Sequence, residues 1–548
     1  ASIMPPRLSL FALLLWMLLA GGCQEAPGQD SGGRLLSQQA AYDVTHYDLE
    51  VTVNPAQKAI GGRVTVTATV VDSMSTFVLN LDHRLKVTRA WQPDAPSRAL
   101  SVQRRANGNE LWIRLPERKE GGEQVQVAVA YEGQPREAPN PPWDGGLTWA
   151  QTPDGAPWVA TSCQTAGADV WWPVKDHPSD EPDSMDIALT VPDSLVAASN
   201  GVLRGTEPAS DSTRTFRWHV STSINTYAVT MNVGPYVSLD TTYMSTTGDR
   251  VPVTFFALPS DTARARSSLP HFLDHVRFLE KTLGPYPFRQ DKYGIAQTPF
   301  LGMEHQTLIA YGNGFNKAGG LGYEAGFDAL HFHELAHEWY GNCLTVQDWK
   351  DFWLHEGTAT YLEALYAESL RGEDAYHDVI DHFRRQISNR KPIARRTSAS
   401  AQAMYDRDVY YKGALVLHTL RSMMGADSMK TLLRRFVGPD SAETQACRHV
   451  DTAEFLQHAE SMMGRSLDGF AETYLYQASL PRLDTTHTEQ AIVLEWTNTA
   501  STAFDVPVPV RVEETIREVA MTGGSGQLSI PSGAEVRIDP EGWLLKAW

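Results

Sequence analysis

Cysteine is scarce in this chain, with four in 548 residues, at positions 23, 163, 343 and 447. If Cys23 carries a lipid, as argued below, three are left, an odd number that sets up no disulfide framework, and none is expected. Basic side chains are outnumbered, 47 Lys and Arg against 65 Asp and Glu, for a net charge of −18. That balance favours solubility and works against binding a phosphate backbone, so nucleic acid is not an expected partner. The apolar run Leu8–Leu19 is too short to span a bilayer comfortably.

That run is laid out as a secretory signal. Arg7 precedes it, and Ala20, Gly21 and Gly22 follow it and end directly at Cys23. Small residues ending at a cysteine resemble the lipobox of bacterial lipoproteins. The expectation is therefore a signal peptide over 1–22 and a lipidated Cys23. Residues 23–37 would act as a polar, Gly- and Pro-containing tether, on an exported lipoprotein of the cell envelope that faces the periplasm or the surface. The membrane would be met only through that lipid.

The remaining length is enough for three or four domains with sizeable cores. From about Tyr42 to Val237 apolar residues recur with period two, as in Tyr47, Leu49, Val51 and Val53, between clusters of Gly, Pro, Asn and Asp. This predicts an antiparallel β-rich domain over 38–237. Around Val251 the pattern changes, and helical spacing takes over at Ala263–Leu283 through Leu269, Phe272, Leu273, Val276 and Leu279. Tyr293–Ala310 alternates like an edge strand. Further helices are expected at 364–370, 375–387, 415–424, 429–436, 452–463 and 467–476, placing a mixed domain over 238–480. Beyond Pro481 short alternating segments divided by turns such as GGSG and DPEG predict a small β-sandwich over 481–548. The fold class is multidomain α+β.

The chemistry is concentrated in Leu330–Glu363. On a helix, His333 and His337 lie four residues apart and project from one face, where two imidazoles can meet one metal ion. Glu356, at the start of a second apolar-periodic segment, can supply a third ligand. Catalytic zinc takes three protein ligands and leaves a position for water, and this donor set meets that need with one ion per chain. Glu334, between the two histidines, is left free to act as a base. A helix that carries its histidines without any metal is the plain alternative.

The surrounding text, HELAHEWYGNCLTVQDWKDFWLHEG, resembles the zinc-site block of the aminopeptidase N and leukotriene hydrolase family of gluzincins, in the ligands and in Gly341, Asn342, Trp349, Asp351, Trp353 and Gly357. The resemblance implies a thermolysin-like zincin catalytic domain and a zinc aminopeptidase acting on peptides with a free N-terminus. It extends to Gly302-Met303-Glu304-His305, similar to the family's exopeptidase motif, whose glutamate faces the substrate's α-ammonium. A carboxylate fixed in a cleft makes a charge-assisted bond with an ammonium that an internal peptide bond cannot offer. The family has Asn where this chain has His305, and a small residue where it has Leu301. Gln164, nine residues before Pro173, matches the family position that helps bind the amino terminus. Tyr410-Tyr411-Lys412-Gly413 resembles the family's Tyr-x-Lys-Gly and implies that Tyr410 binds the oxyanion. Many relatives continue into a large helical domain that covers the cleft; the chain ends at Trp548, which leads to the expectation of a more open site or one covered by a partner. Two rival functions are a bifunctional aminopeptidase and epoxide hydrolase, separable with a lipid epoxide, and a surface-binding protein whose catalysis has lapsed. The intact Glu334 and ligand set argue against the second.

Overall fold

The computed structural model describes residues 30–105, 108–316, 326–438, 447–500 and 504–547. The expected signal peptide and Cys23 lie outside the described residues. Among those described, no helix is long and apolar enough to cross a membrane.

The alternating N-terminal segments form a seven-stranded sheet, a four-stranded sheet and a three-stranded sheet. The sequence Tyr47, Leu49, Val51, Val53 is the buried face of the strand Tyr42–Asn54. The domain departs from purely antiparallel pairing where Tyr42–Asn54 runs parallel to Ser184–Pro192. The stretch expected to be a tether is partly built into the fold. Ser31 donates its backbone N–H to the Thr165 carbonyl (3.1 Å), the Ala401 N–H reaches the Ser31 carbonyl (2.9 Å), and the Gln402 N–H reaches Asp30 Oδ1 (3.0 Å). Residues 30–31 thereby join the N-terminal domain to the helical one.

The catalytic-type domain opens with a five-stranded sheet: β1 (Val237–Met244), β2 (Arg250–Ala257), β3 (Tyr293–Gln297), β4 (Gly302–Met303) and β5 (Ile309–Tyr311). The order is β1-β2-β3-β5-β4, so the two-residue β4 forms an edge, antiparallel to β5. The single strand expected over Tyr293–Ala310 is thus three short ones. Four helices frame the site: α1 (Thr262–Leu283), α2 (Ala329–Ala336), α3 (Trp353–Arg371) and α4 (Arg407–Met424). Asp328 caps α2 by accepting the His331 N–H at 3.1 Å. Asp406 does the same for Asp408 at the start of α4, again at 3.1 Å. Helix α1 buries Leu269, Phe272, Val276 and Leu279, and Phe272 stacks flat on His331 of α2 with centroids 3.7 Å apart. His331 and His418 are fully buried. His418 shares a hydrogen bond with the Tyr376 hydroxyl at 2.7 Å.

Helices α3 and α4 cross at two glycines. A Cβ on Gly357 would come within 2.8 Å of the Gly413 Cα, so both positions must lack a side chain for the helices to approach this closely. Tyr410 lies one turn before Gly413, and Glu356 is next to Gly357. The glycine contact therefore sets the distance between the tyrosine and the third ligand position. Lys412 fixes the same helix from its far side by donating to the Gln477 and Ala478 carbonyls, both at 2.9 Å.

Cys343 and Cys447 form a disulfide across 104 residues, where no disulfide framework was expected. Leu344–Val346 pairs in parallel with Arg448–Val450, which brings the preceding residues side by side. Parity counting could not register this pairing because Cys163, buried and free, is the odd one left. The C-terminal region has two three-stranded sheets whose buried faces, Ile492, Leu494 and Trp496 on one and Val508, Val510 and Val512 on the other, join the common core. Its first strand, Arg482–His487, was not anticipated because most of it is exposed and shows no alternation.

Candidate active site

Helix α2 is buried along its whole length and ends at His337, so His333 and His337 face inward from its last turn. Glu356 comes from the first turn of α3. The three donor atoms form a nearly equilateral triangle: His333 Nε2 to His337 Nε2 is 3.1 Å, and each nitrogen is 3.3 Å from Glu356 Oε2. Ligand atoms at 2.0–2.1 Å from a tetrahedral zinc are separated by about 3.3 Å, which is the edge this triangle has. The tautomers agree. His337 Nδ1 donates to the Tyr340 carbonyl at 2.9 Å, and His333 Nδ1 donates to Glu363 Oε1 at 2.8 Å. Both Nε2 lone pairs then point at each other and at a carboxylate, an arrangement of three acceptors that calls for a cation between them. Among the described residues this is the one group of His, Cys, Asp or Glu donors close enough to hold an ion.

Glu334 also lines this cavity and stays outside the triangle. Burial is the main push on its carboxyl, aided by Glu304 and Glu356 and opposed by His333 and His337, and it stands at about 8. Gly302 on β4 leaves room for it. A Cβ there would lie 2.6 Å from Glu334 Oε1 and 2.9 Å from Leu330, so any larger residue displaces the carboxylate. Met303 is buried in the cavity wall.

Glu304 follows directly after β4, at the sheet edge beside the triangle. Gln164, from the N-terminal domain, donates through Nε2 to Glu304 Oε1 and to Glu356 Oε1, both at 2.6 Å. One amide thus joins Glu304 to the outer oxygen of the third ligand position. Asn342 Nδ2 holds the Glu304 carbonyl at 2.9 Å. His305 is fully buried, and burial pushes its imidazole down to about 3, so it is neutral at physiological pH. Tyr410 stacks over His333 with centroids 6.0 Å apart and donates to the Tyr405 hydroxyl at 3.3 Å. The cavity brings together all nine residues singled out from the sequence: Gln164, Gly302, Met303, Glu304, His333, Glu334, His337, Glu356 and Tyr410.

Several participants were missed. Glu363 orients His333; it stands seven residues after Glu356, two helical turns on, so it shares that residue's face. Tyr405 precedes the recognised tyrosine by five residues and bonds to it. Pro142 and Trp143 close the cavity from the N-terminal domain, and nothing local in sequence marks them. The cavity these residues line has a volume of about 70 Å³.

The fold and the buried His, His, Glu triangle of zinc dimensions, with a further glutamate beside it, are those of a zinc metallopeptidase. Residues 44–228 match the Peptidase M1 N-terminal domain and residues 278–474 the Peptidase family M1 domain. The chain belongs to Peptidase family M1, and its metal is zinc. It is similar to endoplasmic reticulum aminopeptidase 1 of Homo sapiens, 25% identical over 412 residues, which covers 70% of this chain and 42% of the relative. It is also similar to aminopeptidase N of Canis lupus familiaris, 28% identical over 293 residues, with coverage of 50% and 30%. The chain therefore spans less than half the length of these curated relatives. Among solved structures it resembles the M1 zinc metallopeptidase of Deinococcus radiodurans, with a TM-score of 0.63, 26% identity and coverage of 78% and 91%. A mutant of that enzyme bound to a Tyr-Ser-Ala substrate gives a TM-score of 0.65 at 25% identity, covering 80% and 95%.

Proposed function

We propose that the chain is a zinc aminopeptidase that removes the first residue from peptides with a free N-terminus. The observation that supports the reading is the Gln164 bridge, which ties Glu304 to the third ligand position and so keeps a carboxylate beside the metal triangle, where it can receive an α-ammonium. Zinc on His333, His337 and Glu356 would supply a Lewis acid and a water of lowered pKa. Glu334 accepts the proton of the attacking water on its carboxylate and passes it to the leaving amine nitrogen, the dual role of a carboxylate that lies beside the metal triangle without being part of it. The Tyr410 hydroxyl donates to the oxygen that gains charge in the transition state. One such donor is typically worth about 3 kcal/mol in the barrier. Glu304 accepts the substrate's ammonium protons, and Gln164 keeps its carboxylate aimed.

We further propose export through the signal at 1–22 and anchoring through Cys23. The Cys343–Cys447 disulfide supports an oxidising compartment.

The reading is tested by replacing Glu304→Ala and comparing an aminoacyl-chromophore substrate with its N-acetylated counterpart. The expected result is a loss of at least about a hundredfold in kcat/KM for the free amine, with little change in any residual cleavage of the blocked one. Equal losses on both would show that Glu304 does not read the ammonium.

A further inference from the structure

Ser31 lies in the stretch whose composition reads as a tether, yet it is buried. Its two backbone groups are satisfied in opposite directions across the domain interface. The N–H reaches the Thr165 carbonyl of the N-terminal domain at 3.1 Å, and the carbonyl accepts the Ala401 N–H of the helical domain at 2.9 Å. Its hydroxyl accepts the Trp349 indole N–H at 3.4 Å. The neighbours are tied as well: Asp30 Oδ1 accepts the Gln402 N–H at 3.0 Å, and the Gly33 carbonyl shares a hydrogen bond with His177 Nε2 at 2.9 Å. Gly32 forms a bridge with Ser400 and sits in the left-handed region at φ 77°. A Cβ there would overlap Trp349 Cδ1, so the segment lies against the indole only because this residue is glycine.

The points that hold the segment lead to residues of the site. Thr165 follows Gln164, whose amide donates to Glu304 and Glu356. Ala401 opens the short helix Ala401–Met404, its carbonyl accepts the Tyr405 N–H at 2.8 Å, and the Tyr405 hydroxyl accepts that of Tyr410. Trp349 lies four residues before α3, whose first turn carries Glu356. Two residues of chain thus span the interface beside the point where Gln164 crosses it. Binding groups keep a productive geometry only when their supports hold them to within about 0.5 Å.

We propose that Ser31 and Gly32 form a positioning strap for the active site: by tying Thr165 to Ala401 across the domain interface, they hold Gln164 where it reaches Glu304. The strap touches neither substrate nor metal and acts through Gln164. This role rests on the aminopeptidase reading, and it makes the N-terminal segment a working part of the half that binds the substrate's amine.

The test is a double-mutant cycle on the full-length, zinc-loaded chain with an unblocked alanyl-chromophore substrate. Gly32→Ala should raise KM about threefold, with kcat within about twofold and zinc still at about one per chain. The dissociation constant of free L-alanine, read by calorimetry, should rise by a similar factor. In a Gln164→Ala background the same change should raise KM by less than about 1.5-fold, because the group it positions is gone. Ala401→Pro removes the N–H that Ser31 accepts, at a first helical position that tolerates proline, and should reproduce both results. Equal KM factors with and without Gln164 overturn the strap and leave the aminopeptidase reading standing. So does a wild-type KM in both strap variants, whether or not their thermal stability falls. A wild-type chain that cleaves no unblocked substrate at full zinc occupancy overturns the aminopeptidase reading and the strap with it.

Discussion

His333, His337 and Glu356 come from two successive helices of one domain, and their spacing follows from helical repeat and from the glycine contact that brings α4 onto α3. Gln164 and Glu304 reach each other from different domains, through a turn on one side and a two-residue edge strand on the other. The metal half of the site is thus set by local structure, and the half proposed to bind the substrate's amine by how two domains dock. Gln164 also touches Glu356, which makes it the direct link between the halves. The comparison implies that the two halves can be damaged separately.

The largest effect should come from the residue that belongs to neither half's binding task. Glu334→Gln is expected to keep zinc at wild-type occupancy while lowering kcat by about 10²–10⁴-fold, read by metal analysis beside steady-state kinetics. Wild-type turnover in that variant would remove Glu334 from the proton path.

Next come two variants that should dissociate the halves. Glu363→Gln weakens the charge behind His333 and should cost about 10–100-fold in zinc affinity, measured by competition with a chelator, while KM of the zinc-saturated enzyme hardly moves. Gln164→Ala should do the reverse, raising KM for free-amine substrates about fivefold with zinc stoichiometry unchanged. If Gln164→Ala loses zinc as readily as Glu363→Gln does, the halves are one unit and the comparison fails.

The smallest effect concerns the frame of the metal half. Asp351, just before α3, is buried against Thr452 Oγ1 at 2.6 Å, and burial pushes its carboxyl up to about 6. The folded form holds that proton more tightly than an unfolded chain, whose carboxyl titrates near its ordinary value of about 3.9. The contribution to stability is therefore complete below about pH 3.9 and lost as pH rises through about 6, amounting to about 3 kcal/mol at most. Asp351→Asn should flatten this part of the stability profile in denaturant titrations between pH 4 and 7. An unchanged slope would place the proton elsewhere.

How much of this was legible depended on the same division. The triangle could be read because a repeat of four on a helix fixes where two imidazoles point, and Glu356 opens the next helix. The β-rich N-terminal domain, the mixed central domain and the C-terminal sheets also followed from periodicity, since alternation survives wherever one face is buried. Glu363 carried a readable signal, two turns from Glu356, and was passed over. The resemblance brought Gln164 forward, but its bonds to Glu304 and Glu356 could not be read, because nothing in a linear pattern gives the docking of two domains. The disulfide and the Pro142–Trp143 wall were hidden for the same reason: each depends on a register between segments far apart in the chain.

The most direct measurement is hydrolysis of an unblocked alanyl-chromophore substrate as a function of zinc bound per chain, taken through chelation and reloading. Activity proportional to occupancy, reaching its maximum at about one zinc per chain and vanishing when the metal is stripped, is the result this account requires. Undiminished hydrolysis without metal, or an inert chain at full zinc occupancy, would contradict it.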